Sequence, residues 1–281
     1  EHMLQEAVQA AEEADIVVLA IGEDRLQSGE ATSNANIRIP EVQEALLDRI
    51  AEVNQNIVVV LFSGRPLDIR EINKKAKAIL QVWLPGTEGA RAIVDTLFGK
   101  YNPSGKLPMS FPYCVGQVPV HYNEYSTGRP HIEGKDKDRF RSKYLDIPNE
   151  PLYPFGYGLS YTTFEVSDIH LDRTWMDTSG QIEAEVTVKN TGNCTGTETL
   201  QLYIHDIAAS VVRPVKELKA FQRVDLKAGE SKKVTFSLPV AELAFWGLDM
   251  HYSVEPGAFK LWAGTNSEEG LTADFEVVSA K

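Results

Sequence analysis

Ile16-Val17-Val18-Leu19-Ala20-Ile21-Gly22 is a continuous apolar run closed by a glycine. Unbroken runs of this length fill the strands of a parallel sheet covered on both faces, whereas a half-buried strand alternates apolar with polar residues. The segment that follows, residues 22–40, reads Gly-Glu-Asp-Arg-Leu-Gln-Ser-Gly-Glu-Ala-Thr-Ser-Asn-Ala-Asn-Ile-Arg-Ile-Pro. It is long for a strand-to-helix connection, which usually takes about 2–6 residues. Its middle is small and polar and holds three carboxylates, Glu23, Asp24 and Glu30. In an open α/β sheet, ligands sit outside the carboxyl ends of the strands, and this loop leaves such an end. A surface insertion without function is the plain alternative.

Working outward, Leu4, Val8 and Ala11 set a helical spacing through residues 5–15. Pro40 opens an amphipathic helix marked by Val42, Leu46, Ile50 and Val53, proline suiting a first helical turn. Residues 57–62 predict a second buried strand, ending at Ser63-Gly64, and a short helix from Pro66 carries Leu67 and Ile72. Residues 78–84 predict a third strand, stopped by Pro85-Gly86. A helix over 87–98 puts Ala90, Ile93, Val94 and Leu97 on one face, with Gly99 as its C-cap. Strand and helix alternate at short spacing, which predicts βα units and a parallel sheet. Neither Gly-x-Gly-x-x-Gly nor a P-loop occurs, so nucleotide binding has no support.

From Tyr101 to about Tyr161, prolines and glycines recur beside Phe111, Tyr113, Tyr122, Tyr125, Phe140 and Tyr144. A disordered linker is poor in aromatics, so this reads as an ordered connector. After Phe164 the period changes to two. Ile182, Ala184, Val186 and Val188 alternate with polar residues, as do Leu200, Leu202 and Ile204, then Val234, Phe236 and Leu238, then Phe259, Leu261 and Ala263. Turn signals at residues 190–193, 227–230 and 255–257 separate them. About seven strands in this span predict an immunoglobulin-like or fibronectin type III-like sandwich.

The 281 residues suffice for two domains, and 43% hydrophobic with 24% charged residues is ordinary for globular protein. A net charge of −12, with only the short basic run over 135–143 against it, argues against nucleic acid and against an anionic membrane as partners. No apolar run reaches the roughly 18 residues of a membrane span. Cys114 and Cys194 stand far apart, which predicts neither a disulfide framework nor a metal site. The compartment stays open.

Five stretches together carry a resemblance: Ser28-Gly29-Glu30, Ser63-Gly64-Arg65-Pro66, Trp83-Leu84-Pro85-Gly86-Thr87-Glu88-Gly89, the run from Tyr101 to Pro112, and the run from Tyr153 to Tyr161. In order and spacing they resemble the C-terminal part of the family 3 glycoside hydrolases, of β-glucosidase and β-xylosidase type. Glu217-Leu218-Lys219-Ala220-Phe221 through Ala228-Gly229-Glu230 resembles that family's fibronectin type III-like domain. The resemblance implies a mainly parallel, N-terminally truncated α/β sandwich over 1–125, an ordered connector over 126–162 and a fibronectin type III-like β-sandwich over 163–281.

It also implies a retaining, exo-acting β-glycosidase that removes terminal non-reducing β-D-glucosyl or xylosyl residues without a cofactor. Such enzymes use two carboxyl groups about 5–5.5 Å apart, one as nucleophile and one as acid/base. In the family the nucleophile comes from an N-terminal barrel, commonly in a Ser-Asp-Trp context, and no Ser-Asp-Trp occurs here. The acid/base comes from a loop of the α/β domain and falls on Glu30. Relatives commonly place an arginine a few residues later, where this chain has Asn34. Expected partners are therefore a β-linked oligosaccharide or glycoside and a barrel domain or chain, with a homo-oligomer kept open; the isolated chain is expected to be inactive. The helix over 5–15 feeds a strand with none before it, so a longer parent polypeptide is expected.

Other residues have plainer readings. Glu23 follows the strand directly and holds the loop, with the acid/base role as its alternative, and Asp24 is solvated. Arg65 and Arg129 tie carbonyls in Gly-Arg-Pro corners. Trp83 is core, and Glu88 suits the first turn of a helix. His121, His131 and His251 lack metal spacing, and the aromatics of 153–161 serve packing before any sugar platform. A non-catalytic carbohydrate-binding or scaffold fragment is the rival reading.

Overall fold

A computed structural model describes residues 2–132, 134 and 138–279. Lys135 and Lys137, at the start of the basic run, lie outside the described residues. The chain divides into two compact units. The first comprises Glu1–Lys100, Phe111–Val120 and Glu150–Tyr153; the second comprises Tyr101–Ser110, His121–Asn149 and Pro154–Lys281.

The first unit runs α1 (His2–Glu13), β1 (Val17–Gly22), α2 (Glu41–Val53), β2 (Ile57–Phe62), α3 (Arg70–Lys75), β3 (Ala78–Trp83) and α4 (Gly89–Leu97). Its three strands form one sheet in the order β1-β2-β3, and both pairings are parallel. The two crossovers step the same way along the sheet, and right-handed crossovers then place α2 and α3 on one face. That face holds the core. Leu19, Ile21, Ile57, Val59 and Leu61 are buried there, together with Leu47 and Ile50 of α2 and Ile72 of α3.

Only the central strand matches the buried reading of the apolar runs. β1 and β3 are edge strands, so their outward residues lack cover: Val18 is 52% exposed and β3 is at best half-buried. The short helix also begins later than Pro66. Asp68 N donates to Ile37 O at 2.9 Å, and Asp68 pairs with Arg38 as an isolated parallel bridge. The helix therefore starts only at Arg70, whose guanidinium grips the Asp68 carboxylate at 3.0 and 2.8 Å. Pro40 stands just outside α2, at its N-cap. The C-cap of α4 is Phe98 and not Gly99; Gly99, with φ +72, follows at the next position in the left-handed conformation that favours glycine there.

The second unit is a sandwich. Its strands are β4 (Phe164–Leu171), β5 (Trp175–Asp177), β6 (Gln181–Asn190), β7 (Gly196–Asp206), β8 (Glu217–Leu226), β9 (Ser231–Pro239), β10 (Phe245–Trp246), β11 (Tyr252–Ser253), β12 (Gly257–Gly264) and β13 (Leu271–Val278). A five-stranded sheet β5-β13-β12-β7-β8 faces a three-stranded sheet β4-β6-β9, and β10-β11 is a separate hairpin. The inward residues predicted from alternation, Ile182 through Val188 on β6, Leu200 through Ile204 on β7 and Phe259 through Ala263 on β12, form its core. Cys114 and Cys194 are both free thiols.

Candidate active-site loop

The loop over 22–40 starts at a contact that only glycine allows. Gly22 has φ +134, and a Cβ there would lie 1.9 Å from Phe62 O of the neighbouring strand. Gln43, on the first turn of α2, fixes this residue twice: its Oε1 accepts from Gly22 N at 2.8 Å and its Nε2 donates to Gly22 O at 3.1 Å. Glu23 N then donates to Phe62 O at 2.8 Å, so the loop leaves the sheet in a set direction.

Glu23 and Arg65 form the clasp. The Glu23 side chain is only 3% exposed, and its Oε1 lies 2.9 Å from Arg65 Nε. Its Oε2 accepts from Gly64 N at 3.1 Å. Arg65 Nη2 reaches across and donates to Gln27 O at 2.7 Å and to Thr32 O at 3.0 Å. One guanidinium thus joins the outgoing and returning limbs, using the fork geometry that lysine lacks. Asn34 adds a second tie through Nδ2, to Gln27 O at 3.2 Å and to Glu23 Oε1 at 3.4 Å. Asp24 caps a local turn by accepting from Leu26 N at 2.6 Å and is otherwise solvated.

Beyond the clasp the tip turns sharply. Gly29 has φ +121, Ala31 has φ +58, and Thr32 Oγ1 donates back to Gly29 O at 2.5 Å. Glu30 sits on this turn. It is exposed, and among the described residues it makes no hydrogen bond or ion pair. Of the three loop carboxylates, one is committed to an ion pair, one to a turn, and one is held out on a braced tip.

The other singled-out residues fall elsewhere. Trp83 is half-buried, its ring 5.8 Å from that of Phe111. Arg129 is exposed, and its carbonyl accepts from Ser142 N at 2.8 Å. Glu88 is exposed at the N-cap of α4. His251 lies 3.2 Å from Asp249, and no cluster of metal-ligating side chains occurs among the described residues. Tyr153 packs edge-on to Phe111 in the first unit, and Phe155 stacks on Tyr122 at 4.2 Å in the second. A cavity in the second unit is lined by Lys106, Glu198, Tyr157 and Glu269 and holds none of the predicted site residues. Lys106 and Glu198 are already paired there, Lys106 Nζ lying 2.7 Å from Glu198 and 2.8 Å from Gly158 O. Sequence reasoning missed Gln43; the available signal was a glutamine on the first turn of the helix closing a long loop.

Residues 1–161 match the glycosyl hydrolase family 3 C-terminal domain. The chain belongs to glycosyl hydrolase family 3. Residues 198–267 match a fibronectin type III-like domain, in keeping with the sandwich. Among relatives, a periplasmic β-glucosidase of Salmonella typhimurium is 47% identical over 98% of this chain and 36% of its own length. A β-xylosidase of Formosa agariphila is 41% identical over 94% of this chain and 35% of its own. The crystal structure of a β-glucosidase from Listeria innocua in complex with glucose superposes with a TM-score of 0.95 at 44% identity, over 99% of this chain and 38% of that one. The family 3 chain described here therefore spans little more than a third of the relatives it matches.

Proposed function

We propose that this chain supplies the acid/base loop of a retaining, exo-acting β-glycosidase acting on terminal non-reducing β-D-glucosyl or xylosyl residues. Glu30 is the acid/base. A barrel domain, of the kind the family resemblance implies, supplies the nucleophile, and the chain alone is inactive. The domain division proposed with it is α/β over 1–125, connector over 126–162 and sandwich over 163–281. The observation that carries the reading is the division of labour within the loop: Glu23 is consumed by Arg65, while Glu30 stands unpaired on a braced tip. A general acid must keep its proton near neutral pH, which burial or a second carboxylate achieves. Docking of a barrel over the tip would bring both.

The chemistry follows from the pair. Glu30 protonates the glycosidic oxygen as the nucleophile attacks the anomeric carbon, and the leaving group departs as an alcohol. Glu30, now a carboxylate, then takes a proton from the water that releases the sugar, with net retention.

The test uses the polypeptide with its barrel. Glu30→Gln should lose most of the general-acid contribution of about 10²–10⁴-fold on alkyl glycosides and far less on a dinitrophenyl glycoside, whose leaving group needs no proton. Azide, which needs no base, should restore turnover and yield a β-glycosyl azide. Glu23→Gln should slow both substrates alike without azide rescue. Rescue of Glu23→Gln with Glu30→Gln unmoved would reverse the two roles, and rescue of neither would make the loop a lid.

A further inference from the structure

Trp83 has φ +53, an outlier for a bulky side chain. The pairing of β2 with β3 is in register through Leu61 and Gln81 and then slips by one residue, so that Phe62 meets Trp83 and Val82 is left over. Such bulges re-aim the side chains that follow them. Here the Trp83 ring turns onto Phe111, at 5.8 Å, and the next residue, Leu84, is left 67% exposed. Pro85 and the left-handed Gly86 fix the turn beyond it.

Leu84 faces the catalytic loop. The point where a Cβ on Gly64 would stand lies 3.8 Å from Leu84 Cδ1 and 1.7 Å from Ser28 Oγ. Leu84 and Ser28 thus close over the same glycine, and Ser28 is two residues from Glu30 in the chain. What sets Leu84 apart from other exposed apolar side chains is its place: the bulge at Trp83 leaves it 67% exposed within reach of the loop that carries Glu30, where it offers apolar surface to a group bound there.

We propose that Leu84 forms an apolar wall of the leaving-group site and sets a preference for apolar aglycones. This rests on the acid/base reading of Glu30. An acid/base donates its proton to the oxygen that carries the leaving group, so the side chains beside it meet the aglycone and not the sugar ring undergoing substitution.

The experiment measures kcat/KM, which reports the glycosylation step, for methyl, butyl and octyl β-glucosides on the polypeptide with its barrel. In wild type the value should rise with alkyl length. Leu84→Ser should lower the octyl-to-methyl ratio by about three- to tenfold, and Leu84→Met should preserve it. Inhibition by gluconolactone, a glycone-site ligand, should be the same in all three. An unchanged ratio in Leu84→Ser, or a loss equal for every alkyl length together with weaker gluconolactone binding, overturns the proposal. The Glu30→Gln azide experiment separates the two claims. Rescue there with an unchanged alkyl ratio defeats Leu84 alone; no rescue with a reduced ratio keeps Leu84 at the aglycone and defeats the acid/base assignment.

Discussion

In the sandwich, Ile182, Ala184, Val186 and Val188 of β6 are all fully buried, whereas β1 of the parallel sheet buries Leu19 and Ile21 and leaves Val18 52% exposed. The two strands differ in what faces them. The inward side of β6 meets β7 and β12, strands of the same unit, and its outward side is polar. β1 is apolar on both sides, but its core-side helices cover only one. An alternating strand states in its own sequence which face is covered. A continuous apolar strand states that both faces suit burial and leaves open what covers the second.

The largest effect expected from this contrast is in the sandwich. Phe236 is 1% exposed in its core, and Phe236→Ala should cost about 3–5 kcal/mol, read from denaturant unfolding. A loss below about 1 kcal/mol would mean that the sandwich core is not the closed one described.

The next effect concerns the loop. Glu23→Gln leaves the Arg65 guanidinium without its carboxylate and should weaken the clasp by about 1–3 kcal/mol. Amides of residues 24–34 should then exchange faster, with β2 amides unchanged. Gly64→Ala should disturb the tip by another route, since its Cβ would meet Ser28 Oγ at 1.7 Å. Equal protection of the loop in wild type and both variants would show that Arg65 does not brace it.

A third test compares pH responses. Asp206, at the end of β7, has its carboxyl pushed up by burial and by Glu255, against the opposing hydrogen bond from Ala208 and the nearby Arg213 and His205. A carboxyl with a raised folded-state value stabilises the fold while protonated, fully so below the unfolded value of about 4. That stability is lost as pH rises through the folded value. Asp206→Asn should therefore gain on wild type in melting temperature between about pH 4 and pH 7. A constant difference across that range would exclude Asp206 as the source.

Much of this was legible in the chain because local rules and tertiary outcome agreed. The strand over 57–62, the helix after Pro40, the left-handed Gly99 and the alternation of β6, β7 and β12 each follow from period or backbone freedom. Of the loop, its length, its position at a strand end and the holding role of Glu23 were readable. The Gln43 clamp, the second tie through Asn34 and the bulge at Trp83 were not, because each depends on contacts between separate stretches of chain. The start of α3 was misplaced for the same reason: the bridge between Arg38 and Asp68 outcompeted the helix-starting tendency of Pro66.

The smallest expected effect is the most telling for the comparison. Val18→Thr changes an apolar residue on the open side of β1 to one of similar shape that favours strands equally. If nothing covers that side in the isolated chain, unfolding free energy should move by no more than about 0.5 kcal/mol, as for surface substitutions. Val186→Thr, the same change at a fully buried position of β6, places a hydroxyl in the sandwich core and should cost about 1–3 kcal/mol. Self-association supplies the second arm. Contiguous exposed apolar surface and an unpaired strand edge both favour contact between copies. Light scattering of the isolated chain should show concentration-dependent association that Val18→Lys reduces and Val186→Thr does not. If Val18→Thr costs as much as Val186→Thr in a chain that stays monomeric, β1 is covered on both sides within one copy, and the two kinds of strand do not differ as argued.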